Sequence, residues 1–205
     1  MGLTFGIYLF DGAEELDFAG PWEVLAMLRE GAARGTIPVE KPAVVTISQN
    51  GGTLTCAKGM RVLSDHSFAN APRLDVLVVP GGIGARREVE KPNVLKWVAA
   101  TAAHCQWVTS VCTGALLLAA AGPAKGKRVT THWSFIETLR ARNKAKEVVE
   151  NIRYVRDGNV VTAAGVSAGI DMTLWLVGQI YAPEIAREVQ HQIEYNPAPP
   201  YTADV

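Results

Sequence analysis

Short, β-branched apolar runs alternate with longer helical patterns along this sequence, and that alternation leaves few folds open. Residues 6–10, 43–47, 76–79 and 107–111 read as strands, and unbroken runs such as Val76-Leu77-Val78-Val79 suit a parallel sheet buried on both faces. Helices are expected from Pro21 through Arg29, because Pro suits a first helical turn, and from Pro92 to about Ala103. Further helices are expected over 114–121, from a Ser134 cap through Arg142, and over 168–181 and 183–193. Two hairpins are predicted, 53–55 with 60–62 around Lys58-Gly59, and 152–155 with 160–163 around Asp157-Gly158. Residues 128–131 read as one more strand, and Asn196 to Pro200 as an extended tail. The pattern implies an α/β three-layer sandwich, with a mostly parallel sheet and helices on both faces. In such sheets ligands sit beyond the carboxyl ends of the strands.

The 205 residues suit a single domain, and 48% hydrophobic residues are ample for a large core. Twenty Lys+Arg balance twenty Asp+Glu, which gives no electrostatic footprint for nucleic acid or an anionic membrane and permits self-association. Three cysteines at irregular spacing do not make a disulfide framework, so reduced thiols in a cytoplasmic compartment are expected. The N-terminus reads as a first strand rather than a signal peptide, and the apolar run 115–121 is too short to span a bilayer.

One cysteine has a setting of its own. Cys112 stands where an apolar strand turns into an apolar helix, in Ser110-Val111-Cys112-Thr113-Gly114, the layout of a nucleophile elbow with sulfur in place of the serine oxygen. The free N–H groups and dipole of the helix start favour a thiolate there, and Gly114 lets the turn close. The alternative is an ordinary buried cysteine. Cys56 and Cys105 lack this setting and read as structural thiols.

Three further features fall at the same edge of the sheet. Asp17 follows the first strand among apolar neighbours and could exchange a proton with the thiol, unless it only complements a helix dipole; Glu14 and Glu15 compete for the role. Gly81 and Gly82, in Pro80-Gly81-Gly82-Ile83-Gly84, could offer backbone N–H groups as an oxyanion-type pocket. Neither a Walker pattern nor a full dinucleotide fingerprint is present. His132 could serve the thiol as base or orienter, or be a packed histidine beside Trp133. His66, His104 and His191 show no ligand spacing, so neither a metal nor another cofactor is expected.

These segments together resemble the ThiJ/PfpI superfamily, with its class I glutamine amidotransferase-like fold. They are Gly12 to Asp17, Pro80-Gly81-Gly82, Val111-Cys112-Thr113-Gly114-Ala115, Thr130-Thr131-His132-Trp133 and the stretch from Ala163 to Asp171. Within the superfamily the chain is similar to the isonitrile hydratases, including the ending Ile193 to Tyr201, where Asn196 replaces an expected Asp. That resemblance implies hydration of an isonitrile to an N-substituted formamide, with Cys112, Asp17 and Thr113 as the catalytic residues, and it implies a homodimer. Deglycases and redox sensors of the superfamily typically carry Glu where Asp17 stands, and the shorter acid leaves more room beside the sulfur.

Two other functions stay open from the sequence. A Cys112–His132 pair could hydrolyse an amide or process a reactive aldehyde. A non-enzymatic ligand or redox sensor is the other, since similar domains form the sensing half of AraC-type regulators. Those regulators continue into a helix-turn-helix module, whereas this sequence ends at Val205 and its neutral charge gives no DNA-binding stripe.

Overall fold

The computed structural model describes residues 2–197. In chain order the elements are β1 (Thr4–Tyr8), α1 (Glu15–Arg34), β2 (Ala43–Ser48), β3 (Gly52–Thr55), β4 (Arg61–Ser64), β5 (His66–Ser67) and β6 (Val76–Val79). Then come α2 (Ala85–Glu88), α3 (Pro92–Ala102), β7 (Trp107–Val111), α4 (Gly114–Ala121), β8 (Arg128–Val129), α5 (Ile136–Ala141) and β9 (Glu147–Val148). The last four are β10 (Tyr154–Asp157), β11 (Val160–Ala163), α6 (Ala168–Ile180) and α7 (Pro183–Gln192).

The main sheet has the order β10-β11-β7-β6-β1-β2-β5. All its pairings are parallel except β10 with β11. Both faces of the sheet are buried, as the unbroken apolar strands require. One face packs Val94 and Val98 of α3 and Leu116 to Leu118 of α4 against Ile7 and Leu77. The other packs Val24, Leu25 and Leu28 of α1 and Val177 of α6 against Phe5, Val44 and Val76. This is the three-layer α/β sandwich expected from the alternation. Chain order reverses about β1, because β2 lies on one side of it and β6, reached later, on the other. Catalytic crevices form at such switch points.

The structure departs from the sequence reading in several places. Helix α1 begins at Glu15, so Pro21 is its seventh residue rather than an opener. A proline there removes one hydrogen bond of the helical ladder. Around this proline α1 and α6 pack closely. A Cβ on Gly20 would lie 2.8 Å from Ile170 Cγ1, and one on Gly169 would lie 3.3 Å from Pro21 Cγ. The segment after Thr131 starts as a 3-10 turn over Trp133–Phe135 capped by His132, and the α-helix begins only at Ile136. Strand β8 is short and pairs with β9 outside the main sheet. The late hairpin turns at Gly158-Asn159, with Gly158 at φ +64°, so β10 starts two residues later than expected. The expected tail lies outside the described residues from 198 onward.

Candidate functional site

Strand β7 delivers Cys112 to the carboxyl edge of the sheet, and α4 starts two residues later. The turn between them is abrupt. Cys112 has φ +56°, a left-handed conformation that a side-chain-bearing residue adopts only when its surroundings enforce it. Several contacts enforce it here. The Cys112 N–H donates to Ala164 O at 2.9 Å, and its carbonyl accepts the Thr131 hydroxyl at 2.8 Å. Gly114 lets α4 approach, for a Cβ there would stand 2.1 Å from the Val79 carbonyl oxygen. The elbow read from the sequence is therefore formed.

Asp17, in the first turn of α1, has no exposed surface. Its Oδ2 accepts the Gly81 N–H at 2.8 Å, while Oδ1 is buried without a nitrogen or oxygen partner. The carboxyl lies beside the Cys112 thiol, near enough for each group to shift the other's proton affinity. Burial, seconded by the charge of Glu14, raises the Asp17 pKa to about 7 against the opposing Gly81 N–H bond. Burial, seconded by Asp17, pushes the Cys112 thiol up to about 12, opposed by the N–H groups of Thr113 and Val166 and by the Thr113 side chain. The two groups titrate as a pair. Burial and the neighbouring Asp17 thus work against the thiolate expected at the helix start, while the N–H groups of Thr113 and Val166 favour it.

The glycine loop also differs from its expected use. The Gly81 N–H is committed to Asp17, and the Gly82 N–H donates to Thr113 Oγ1 at 2.9 Å. Those groups fix the acid and the hydroxyl in place instead of facing a ligand as an oxyanion pocket. Gly82 itself sits at φ +113°, where a Cβ would lie 2.3 Å from Glu14 N. The N–H groups that do face the sulfur belong to Thr113 and Val166. Val166 holds φ +50°, rare for a β-branched residue, and no residue-type pattern marks such a backbone donor.

Beside the sulfur opens a cavity of about 190 Å³, lined by Glu14, Gly82, Ile83, His132, Phe135 and Val166. Arg86 stands at it as well. Cys112, which also lines this space, is 6% exposed. His132 lines the cavity, but its Nδ1 pairs with Ser134 Oγ at 2.8 Å, and no hydrogen bond joins it to Cys112 among the described residues. Glu14 is ion-paired with Lys58 of the β3–β4 hairpin, which leaves Asp17 as the acid at the thiol. Glu15 instead accepts the Lys58 N–H at 2.7 Å. Cys56 and Cys105 are buried free thiols, the latter donating to Leu74 O. Among the described residues no cluster of His, Cys, Asp or Glu has the spacing to hold a metal ion, and no helix is long and apolar enough to cross a membrane.

Known proteins with this arrangement fall in several functional groups. The chain is 37% identical to an isonitrile hydratase of Pseudomonas putida, over 98% of this chain and 82% of that one. It is 28% identical to the HTH-type transcriptional regulator GbdR of Pseudomonas aeruginosa over 94% of its own length, yet spans only 50% of the regulator. Among solved structures, a ThiJ/PfpI family protein from Pseudomonas syringae superposes with a TM-score of 0.86 at 28% identity, covering 100% of this chain and 80% of the other. The DJ-1/PfpI family model matches residues 5–179, a stretch that takes in Asp17, the glycine loop, the Cys112 elbow and Val166. With fold, elbow and sequence in agreement, the chain belongs to the DJ-1/PfpI family.

Proposed function

We propose that this protein is an isonitrile hydratase that works through Cys112, Asp17 and Thr113. The observation that carries the reading is the buried thiol–carboxyl pair beside a small cavity. Such a pair sets a proton donor and a proton acceptor side by side, which general acid–base catalysis needs. The 37% identity to a hydratase over nearly the whole chain supports the same reaction.

In this scheme the Cys112 sulfur attacks the terminal carbon of R–N≡C as its proton passes to Asp17. Asp17 then returns that proton to the same carbon. An S–C and a C–H bond form, and the product is the thioimidate R–N=CH–S. A water molecule adds to that carbon with Asp17 taking its proton, which goes to the nitrogen. The C–S bond breaks, R–NH–CHO leaves, and the sulfur recovers the second water proton. Water and isonitrile account for every atom of the formamide. The N–H groups of Thr113 and Val166 stabilise the sulfur whenever it is anionic. The Thr113 hydroxyl, tied to Gly82, orients the carboxyl edge of the pocket.

The test is isonitrile hydration by the wild type and by Cys112→Ala, with mass spectrometry of the intact protein during turnover. The reading expects loss of activity in the variant and a Cys112 adduct of one substrate mass in the wild type. Unchanged turnover in Cys112→Ala would end it. The same proposal places the chain in a reducing cytoplasm as a homodimer, whose interface would cover the exposed Met60 and Leu63 around the β3–β4 hairpin. A light-scattering mass near the single-chain 22.0 kDa would remove the dimer from it.

A further inference from the structure

The charges around the Cys112 cavity do not balance. Glu14 is tied to Lys58, Asp17 is wholly enclosed, and His132 turns its Nδ1 to Ser134. Arg86, on α2 at the cavity, stands apart from these. Its guanidinium lies over the Phe135 ring, 5.0 Å from the centroid, and among the described residues it makes no hydrogen bond or ion pair. Contact with an aromatic face favours one position of a guanidinium while leaving its N–H edge free. A guanidinium with a free edge is the side chain best suited to a planar carboxylate, which it meets with two parallel hydrogen bonds. Ile83, an apolar residue 57% exposed, lines the same cavity as Arg86 and Cys112.

We infer that Arg86 selects substrates that carry a carboxylate, joined by a short apolar spacer to the group that Cys112 attacks. The cavity has room for the reacting group and a few further atoms, so the remainder of the substrate passes the Ile83 side chain and ends against the guanidinium. Combined with the proposed reaction, on which this inference rests, the substrate class becomes isocyano carboxylates. Free guanidinium charge also draws an anionic substrate toward the mouth, an effect that salt screens.

The experiment compares kcat/KM for isocyano acids with that for their methyl esters, using isocyanoacetate, 3-isocyanopropanoate and 4-isocyanobenzoate to sample spacer length. For the best-fitting acid the acid-to-ester ratio should fall about ten- to a hundredfold in Arg86→Gln, the usual range for hydrogen bonds to a charged partner. Arg86→Lys keeps the charge without the fork and should give an intermediate ratio. High salt should lower the wild-type ratio as well. A ratio that Arg86→Gln leaves where it was, for every spacer, overturns the inference, even if the isonitriles are hydrated.

A second measurement does not depend on the reaction. The rate of Cys112 alkylation by iodoacetate, divided by the rate with neutral iodoacetamide, should fall in Arg86→Gln. If neither acids nor esters are hydrated while that alkylation ratio falls as expected, the hydratase reading fails and the carboxylate role of Arg86 stands. An unchanged alkylation ratio counts against Arg86 whatever the isonitriles do.

Discussion

Replacing Asp17 by Asn should make the protein more stable and less active, with the gain in stability developing between about pH 4 and pH 7 and kept above it. In the folded chain burial raises the Asp17 pKa from an ordinary 3.8 to about 7. Between those values the native state holds a proton that the unfolded chain has released, so stability falls as pH rises. The slope is ~1.4 kcal/mol per pH unit, so the whole window costs ~4 kcal/mol, fully incurred above pH 7 and absent below pH 4. Asparagine occupies the same space, accepts the Gly81 N–H through its own Oδ1, and carries no charge to bury. Some of the ~4 kcal/mol is lost to a less perfect fit of the amide against the thiol, so we expect a gain of ~2–3 kcal/mol at pH 8. In a chain of this length that corresponds to a rise of about 4–12 °C in Tm. Paired melts of wild type and variant at pH 4, 5, 6, 7 and 8 read the difference directly, and it should open steadily from pH 4 and level off above 7. A difference constant across the series would refute the buried, proton-holding carboxyl, and with it the proton shuttle assigned to Asp17. In hydration the same variant should lose about a hundred- to ten-thousandfold in rate.

Two further predictions concern the frame around the pair. Gly114→Ala puts a methyl group 2.1 Å from the Val79 carbonyl oxygen, so either α4 or β6 must shift; a urea titration should show a loss of ~1–3 kcal/mol, and an unchanged midpoint would mean that the elbow is looser than its contacts indicate. Tyr8→Phe removes the hydroxyl that donates to the buried Glu88 Oε2 at 2.6 Å, leaving Lys91 as that carboxylate's remaining partner; a loss of ~1–3 kcal/mol in the same assay is expected, and no loss would show that water replaces the phenol.

The sandwich and the elbow were legible because each has a local signature. A run such as Val76 to Val79 suits only a doubly covered strand, and Gly114 after Cys112 marks a turn that must close tightly. Asp17 was legible either as an acid facing the thiol or as one at a helix start, but that it is both was not, since Pro21 pointed to a later start of α1. The burial that opposes a Cys112 thiolate was hard to read for a related reason. A helix start can be seen in sequence, whereas the layers that bury the sulfur come from segments far away. Val166 contributes through a backbone N–H, which leaves no mark in residue type. Arg86 lies in a helix of only four residues, too short to show a period, and its setting depends on Phe135, reached much later in the chain.

The placement of β11 beside β7 has a consequence for synthesis. On the ribosome Cys112 is made well before Val160–Ala163 and Val166, so a nascent chain carries that thiol on an uncovered border of its partial sheet. Until the final third emerges, neither the neighbouring strand nor the strained peptide at Val166 is there to shield it. Shielding of the sulfur thus depends on β11 and Val166, which are made after it, and a product truncated before them would leave that thiol without either.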